Sequence, residues 1–355
     1  MRVLMVGVDK KSSGGMLTVI NNFLNNEKYC NETHVKYIST VSKSNKLIKI
    51  LKFCLVLPII LFAILFKKID LVHVHMAERH SVSREGTVVW LAKKMHKKTV
   101  IHLHAAEIET WYNNLSEKKK KKVTWYFNNA DKILILGENW RPFMERILGE
   151  ENKSKIEVVY NAVNVPKTNL YNPNATNILF YGMLIKRKGI HDLFEAFNVA
   201  KDKIPENIKL YVYGDDTEKL INCLMDKYNT DNRIVYGGWL KKDDQREVYL
   251  NTILHILPSY NEGLPMSILE TMAYGIPNIS TNIAAIPEAI DDGFNGFLVE
   301  PGNINLLANR IIQICNDSLL REKFSKEVYD KCHSIFSIDK QIDRVLEIYK
   351  DLLKE

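Results

Sequence analysis

Apolar residues along this chain fall into short strand-like runs separated by longer helix-like stretches. Val3–Val8 is a buried-strand pattern, and Gly14-Gly15 follows it in a polar loop. A helical stretch then covers Met16–Leu24. Further strands are expected at Val35–Ile38, Asp70–His75, Thr99–His104, Lys132–Leu136 and Ile156–Tyr160. From Val165 to Thr176 the periodicity stops, and two prolines with three asparagines mark a linker. The alternation restarts with strands at Asn177–Tyr181, Lys209–Tyr213, Arg233–Tyr236, Ile253–Leu257 and Asn278–Ser280. Beyond Asn303 the pattern is helical to the end. Strand–helix alternation on this scale predicts mostly parallel sheets covered on both faces. The chain therefore reads as α/β, with two Rossmann-like doubly wound parallel-sheet domains facing an interdomain cleft.

Length and composition agree with this reading. The 355 residues suit about two cores, and 46% hydrophobic with 26% charged residues is ordinary for a globular chain. The formal charge of +7 favours anionic partners, while no nucleic-acid-binding motif is present. Five cysteines, an odd number without a CxxC pair, argue against a disulfide framework and for a reducing compartment. Met1 leads straight into the first strand, so a cytoplasmic location without a signal peptide is expected.

The run Phe53–Phe66 stands apart. It holds fourteen uncharged residues between Lys49 and Lys52 on one side and Lys67 and Lys68 on the other. Its length falls short of a bilayer span and Pro58 interrupts it, so two readings remain. One is a helix in the membrane interface with its lysines on lipid phosphates; the other is a core helix. Lys118–Lys122 is a second basic cluster, expected on a helix as a solvated face or a lipid-headgroup patch.

The chemistry concentrates in Ser259-Tyr-Asn-Glu262-Gly263-Leu264-Pro265-Met266-Ser267-Ile-Leu-Glu270-Thr-Met-Ala-Tyr-Gly275. Pro265 suits the first position of a helix, Glu262 falls in the loop above a strand end, and Glu270 lies inside the helix. Between them the amides of Met266 and Ser267 are free to hold an anion. Two carboxylates around an anion hole fit a ligand with hydroxyls at both ends and a diphosphate between them. A second motif, Phe180-Tyr-Gly182-Met183-Leu-Ile-Lys186-Arg187-Lys188-Gly189, places three cations where a phosphate would sit. Gly14 and Gly15 allow close approach of a ligand to the backbone. His73-x-His75 and His102-x-His104 put paired imidazoles on strand faces, but no carboxylate or cysteine completes a metal set, and none is expected.

These motifs resemble the family 4 retaining glycosyltransferases, glycosyl transferases group 1 of the GT-B superfamily. The resemblance continues through Ala273, Gly275, Pro277, Ser280-Thr281, Ile286-Pro287-Glu288, Gly293, Asn295-Gly296 and Leu298-Val299. It implies a GT-B fold with an acceptor-binding domain over 1–165 and a nucleotide-sugar-binding domain over 177–335. A helix over 336–355 would pack back toward the first domain. It implies catalytic roles for Glu262 on the sugar hydroxyls, Lys188 and Arg187 on the leaving diphosphate, and His104 toward the transferred sugar. Met183 stands where the family carries arginine, so Arg187 or Lys186 is expected to supply the missing charge, with Arg187 favoured. Substrate-binding roles fall to Gly14, Gly15, Gly182, Leu240, Gly263, Leu264, Met266, Ser267 and Glu270. Leu240 follows Trp239 in a segment whose backbone meets the base, and Glu270 holds the ribose. Asn161-Ala-Val-Asn164 resembles the segment closing the family's first domain.

The implied reaction moves a hexosyl unit, with retention, from a nucleoside diphosphate sugar to a hydroxyl, with neither a cofactor nor a metal required. The expected acceptor is a lipid-linked saccharide in cell-surface polysaccharide assembly, on the inner face of the cell membrane. Three alternatives stay open: a GT-B sugar-nucleotide epimerase, a non-catalytic binding or anchoring subunit, and a soluble transferase whose 53–66 run is core.

Overall fold

The computed structural model describes residues 1–10, 14–42, 45–229 and 231–354. The chain divides into two compact units, one comprising Met1–Ala162 with Ile338–Glu355 and the other Val163–Ser337. The first holds strands β1 (Val3–Gly7), β2 (Lys36–Ser39), β3 (Leu71–Met76), β4 (Lys98–Leu103), β5 (Lys132–Ile135) and β6 (Ile156–Val158). The second holds β7 (Asn177–Tyr181), β8 (Lys209–Tyr213), β9 (Ile234–Tyr236), β10 (Thr252–Leu257), β11 (Asn278–Thr281) and β12 (Gly296–Val299). Eleven of these lie where the hydrophobic pattern predicts them, within a residue or two at the ends. The addition is β12, four residues opened by Gly296, too short and too glycine-marked to register as a run.

Every strand pair is parallel. Parallel sheets need helical crossovers, which cover both faces and make central strands apolar throughout. Accordingly every residue of β1, β3 and β10 is buried. The first sheet runs β2-β1-β3-β4-β5-β6, with its reversal of strand order between β1 and β3. The second runs β9-β8-β7-β10-β11-β12, with the reversal between β7 and β10. Crossovers leave in opposite directions at such a point, opening a crevice beyond the carboxyl ends of the two strands. Both polar motifs of the second unit leave from that pair of strands.

The last helix, Ile338–Lys354, belongs to the first unit. Its apolar stripe buries Ile342, Val345, Leu346, Tyr349 and Leu352. Gln341 donates to the carbonyl of Tyr160 at 2.6 Å, and the hydroxyls of Tyr349 and Tyr29 lie 3.1 Å apart. The Pro/Asn-rich stretch belongs to the second unit and packs on it. Asn169 donates to Ser325 Oγ at 2.9 Å, and Tyr171 donates to the carbonyl of Ile253 at 3.2 Å.

The apolar run of the first unit departs from expectation. A single helix spans Lys46–Phe66 and continues through Pro58. Proline removes one donor and crowds one carbonyl, a local cost that the flanking turns of this helix absorb. Over Leu47–Phe66 the helix is long and apolar enough to cross a membrane by length and composition. Ile60, Ala63 and Ile64 nevertheless pack into the core of the first unit. Lys52 is not presented to solvent as the interfacial reading supposed: it bonds Asp9 at 2.7 Å and the carbonyl of Val41 at 3.0 Å.

Candidate functional site

In the second unit, β7 ends at Tyr181 and the chain passes through Gly182 into the cation triplet. Lys186–Lys188 form one short 3-10 turn, closed by Gly189 at φ 71°. Glycine is required there twice over. Its φ is left-handed, and a Cβ would come within 1.9 Å of the carbonyl oxygen of Pro258. That close approach brings the triplet against the end of β10. The amide of Tyr260 donates to the carbonyl of Arg187 at 2.8 Å, and the guanidinium of Arg187 donates to the carbonyl of Asn261.

Glu262 is buried at the meeting point of these loops, 5% exposed. Lys188 Nζ donates to its Oε1 at 2.5 Å, and Ser259 Oγ donates to the same oxygen at 2.7 Å. Arg187 Nη1 lies 4.0 Å from Oε2. Glu262 and the two cations thus form one cluster. Against it Arg187 supplies positive charge close to the motif, while Met183 is 42% exposed. Ser259 was not assigned a role from the sequence; its place three residues before Glu262 is the signal that could have found it.

The helix Met266–Ala273 starts one residue later than the sequence suggested. Pro265 is its N-cap, with extended ψ 129°, and its carbonyl accepts the first intrahelical bond from Leu269. The amides of Met266 and Ser267 precede that bond and lie in the first turn, where helices leave donors unsatisfied. Gly263 and the buried Leu264 connect Glu262 to this turn, and the carbonyl of Gly263 accepts from Ala285 at 3.2 Å.

Glu270 lies in the middle of the helix beside Tyr249, whose hydroxyl donates to Oε2 at 3.2 Å. Burial raises its carboxyl to about 7, while the Tyr249 hydroxyl and Lys242 pull the other way. Tyr181 and Tyr249 are raised as well, by burial first and then by the charge of Glu270. Leu240 is buried, whereas Trp239 is half exposed.

The remaining predicted residues lie in the first unit. Gly14, at φ 110°, caps the helix Gly15–Asn25, and both glycines are exposed. His104 follows β4, with Nε2 at 2.8 Å from His75 Nδ1. Burial lowers His104 to about 3, which keeps it neutral and limits it to hydrogen bonding. The two His-x-His pairs, separate in sequence, are brought together by strand register, and three of their imidazoles have ligand atoms within 4.8 Å of one another. Completion of a metal set therefore does not require the carboxylate or cysteine whose absence argued against one.

Residues 164–331 match the family described as Glycosyl transferases group 1, and residues 23–167 match Glycosyltransferase Family 4. A glycosyltransferase of Methanocaldococcus jannaschii, MJ1178, is 30% identical over 289 residues, covering 80% of this chain and 76% of that one. This chain belongs to the group 1, family 4 glycosyltransferases. An Escherichia coli relative, the UDP-Gal:alpha-D-GlcNAc-diphosphoundecaprenol alpha-1,3-galactosyltransferase, is 30% identical over 159 residues, covering 44% of this chain and 40% of the relative. The solved structure of Anabaena HepE in complex with UDP superposes with a TM-score of 0.77 at 17% identity, covering 99% of this chain and 100% of that one. The fold of this glycosyltransferase is GT-B.

Linkage at Glu270 gives a signed expectation. In the unliganded fold its raised carboxyl favours the protonated form, so its contribution to stability is present in acid and fades as pH rises from about 4.5 through about 7. A ribose donating its hydroxyls to Glu270 favours the ionised form instead. Under that expected role, the affinity for a nucleotide ligand, measured by calorimetry, should fall about tenfold between pH 8 and pH 6. In Glu270→Gln this pH dependence should disappear; a wild-type affinity that is flat across the range contradicts the assignment.

Proposed function

We propose that this glycosyltransferase moves a hexosyl unit, with retention of configuration, from a nucleoside diphosphate sugar to a hydroxyl of a lipid-linked saccharide. The observation that carries the reading is the clustering of Glu262, Lys188 and Arg187 beside the free amides of Met266 and Ser267, at the switch point of the second sheet. Each end of such a donor finds a partner. Its diphosphate takes the amides with Lys188 and Arg187, its ribose takes Glu270, and its sugar hydroxyls take Glu262. The backbone of Leu240 and Gly182 borders the base and phosphate ends.

Chemistry follows from where charge grows. As the glycosidic bond lengthens, the sugar becomes oxocarbenium-like and negative charge accumulates on the β-phosphate. Lys188, Arg187 and the helix amides are fixed in place before the reaction and stabilise that charge without a metal. The departing phosphate accepts the proton of the attacking hydroxyl on the same face, so no protein nucleophile is needed. Arg187 supplies the charge that Met183 lacks.

The acceptor and location rest on the helix Lys46–Phe66. Leu47, Ile48, Ile50, Leu51, Leu55, Ile59, Phe62, Leu65 and Phe66 are all exposed on it. An apolar surface of this size marks an interaction face. Lys49, Lys67 and Lys68 are exposed at its ends, which suits an anionic lipid surface. The E. coli relative acts, by its name, on a diphosphoundecaprenol-linked sugar. Together these support assembly of a capsule, O-antigen or similar cell-surface polysaccharide at the inner face of the membrane.

Two tests follow. A mass-spectrometric screen of nucleotide sugars with extracted lipid acceptors should give a glycosylated lipid from wild type. Glu262→Gln removes the negative charge of a buried ion pair, a change that can cost about 3–5 kcal/mol, but its amide oxygen can still accept from Ser259 and Lys188, so it is the suitable comparison once circular dichroism shows it folded. Its turnover should fall by about a hundredfold or more. Equal rates would remove Glu262 from the mechanism, release of an altered sugar without acceptor would favour the epimerase, and nucleotide binding without any product would favour a binding subunit. In flotation assays, wild type should rise with phosphatidylglycerol vesicles while Leu55→Glu/Phe62→Glu stays in the dense fraction. Wild type remaining in the dense fraction contradicts the membrane reading.

A further inference from the structure

Four imidazoles crowd one face of the first sheet. Alternate residues of a strand share a face, and register sets His75 opposite His102. Ring centroids of His73 and His75 are 4.6 Å apart, those of His75 and His102 5.2 Å, and those of His102 and His104 4.2 Å. Phe23 covers His73, His75 and His102 with centroids 6.0, 5.9 and 6.2 Å away, and Tyr349 meets His73 edge-on. His73, His75 and His102 have no more than 1% of their surface exposed.

The polar accounting does not close. A neutral imidazole carries one donor and one acceptor nitrogen. Nδ1 of His73 is paired with the Tyr349 hydroxyl, and Nδ1 of His75 with Nε2 of His104 at 2.8 Å. Nε2 of His73, Nε2 of His75 and both nitrogens of His102 are buried without a partner among the described residues. Packing alone offers no compensation for such groups, which bury polar atoms away from water.

We propose that His73, His75 and His102 form a ligand set for one divalent transition ion of the imidazole-preferring class, with zinc the first choice. One ligand atom from each lies within 4.8 Å of the other two. Bonds of about 2.0–2.1 Å in tetrahedral geometry need nitrogens about 3.4 Å apart, and the rings of His73, His75 and His102, which lie 13°, 26° and 29° from parallel in pairs, must turn about their side-chain torsions for their in-plane lone pairs to converge. An all-nitrogen set disfavours magnesium and calcium, which demand oxygen. The Tyr349 hydroxyl then serves as the outer partner that orients His73.

Ligation has a consequence for His104. With Nε2 of His75 on the ion, the proton of His75 stays on Nδ1 and is donated to Nε2 of His104. His104 must keep its own proton on Nδ1. The ion and His75 are positioning groups that set the tautomer of His104; they are separate from the cations assigned to the donor diphosphate.

The test uses the full chain, stripped with chelator and titrated with Zn2+ or Co2+ alone. Wild type is expected to bind about one ion per chain and to show the visible bands of low-coordinate cobalt. His102→Phe, checked for folding by circular dichroism, should lose this binding. Tyr349→Phe keeps every ligand and should weaken it about 10–100-fold. Failure of stripped, folded wild type to take up an ion overturns the proposal, as does unchanged uptake by folded His102→Phe. If His102→Phe does not fold, wild-type stoichiometry and the Tyr349→Phe affinity decide: an unchanged affinity there also counts against it.

Discussion

The ion pair between Lys188 and Glu262 ties together two loops that the sequence separates by more than seventy residues. It forms because Gly189 lets the cation turn lie directly on the carbonyl of Pro258, at the end of β10. A side chain at Gly189 would push the turn away and leave Glu262 buried without its counter-charge. The cost of an unpaired buried carboxylate is large, so backbone geometry and electrostatics reinforce one another here. The same contact sets Arg187 beside the motif, its Nη1 4.0 Å from Glu262 Oε2.

Much of this was legible from the pattern of residues. Strand–helix alternation gave both sheets, because parallel strands covered on both faces are continuous apolar runs. Glu262 and Glu270 stood out because they flank a helix start, a position with known electrostatic character. Other features were hidden for physical reasons. β12 is short and begins at Gly296. The helix Lys46–Phe66 runs through Pro58, although proline removes one of its bonds. The inward pairing of Lys52 with Asp9 depends on how the helix rotates against the sheet, which composition does not encode.

The histidines illustrate the limit most clearly. Each His-x-His pair was visible, and so was its placement on a strand face. Their convergence depends on β3 and β4 being neighbours in register, with His75 opposite His102. Burial then does what spacing cannot reveal: it leaves four nitrogens without partners among the described residues. Glu270 is a parallel case. Its position suggested a ribose ligand, but its raised carboxyl comes from burial beside Tyr249 and the tyrosine-rich wall around it.

The central claim is that the switch point of the second sheet holds a nucleoside diphosphate through its cation turn and helix amides. Hydrogen exchange read by mass spectrometry, with and without a saturating nucleoside diphosphate sugar that calorimetry shows to bind, tests it most directly. The account predicts slowed exchange in peptides covering Gly182–Gly189 and Gly263–Glu270. Protection confined to other segments, or no protection at a concentration that calorimetry shows to be saturating, would contradict it.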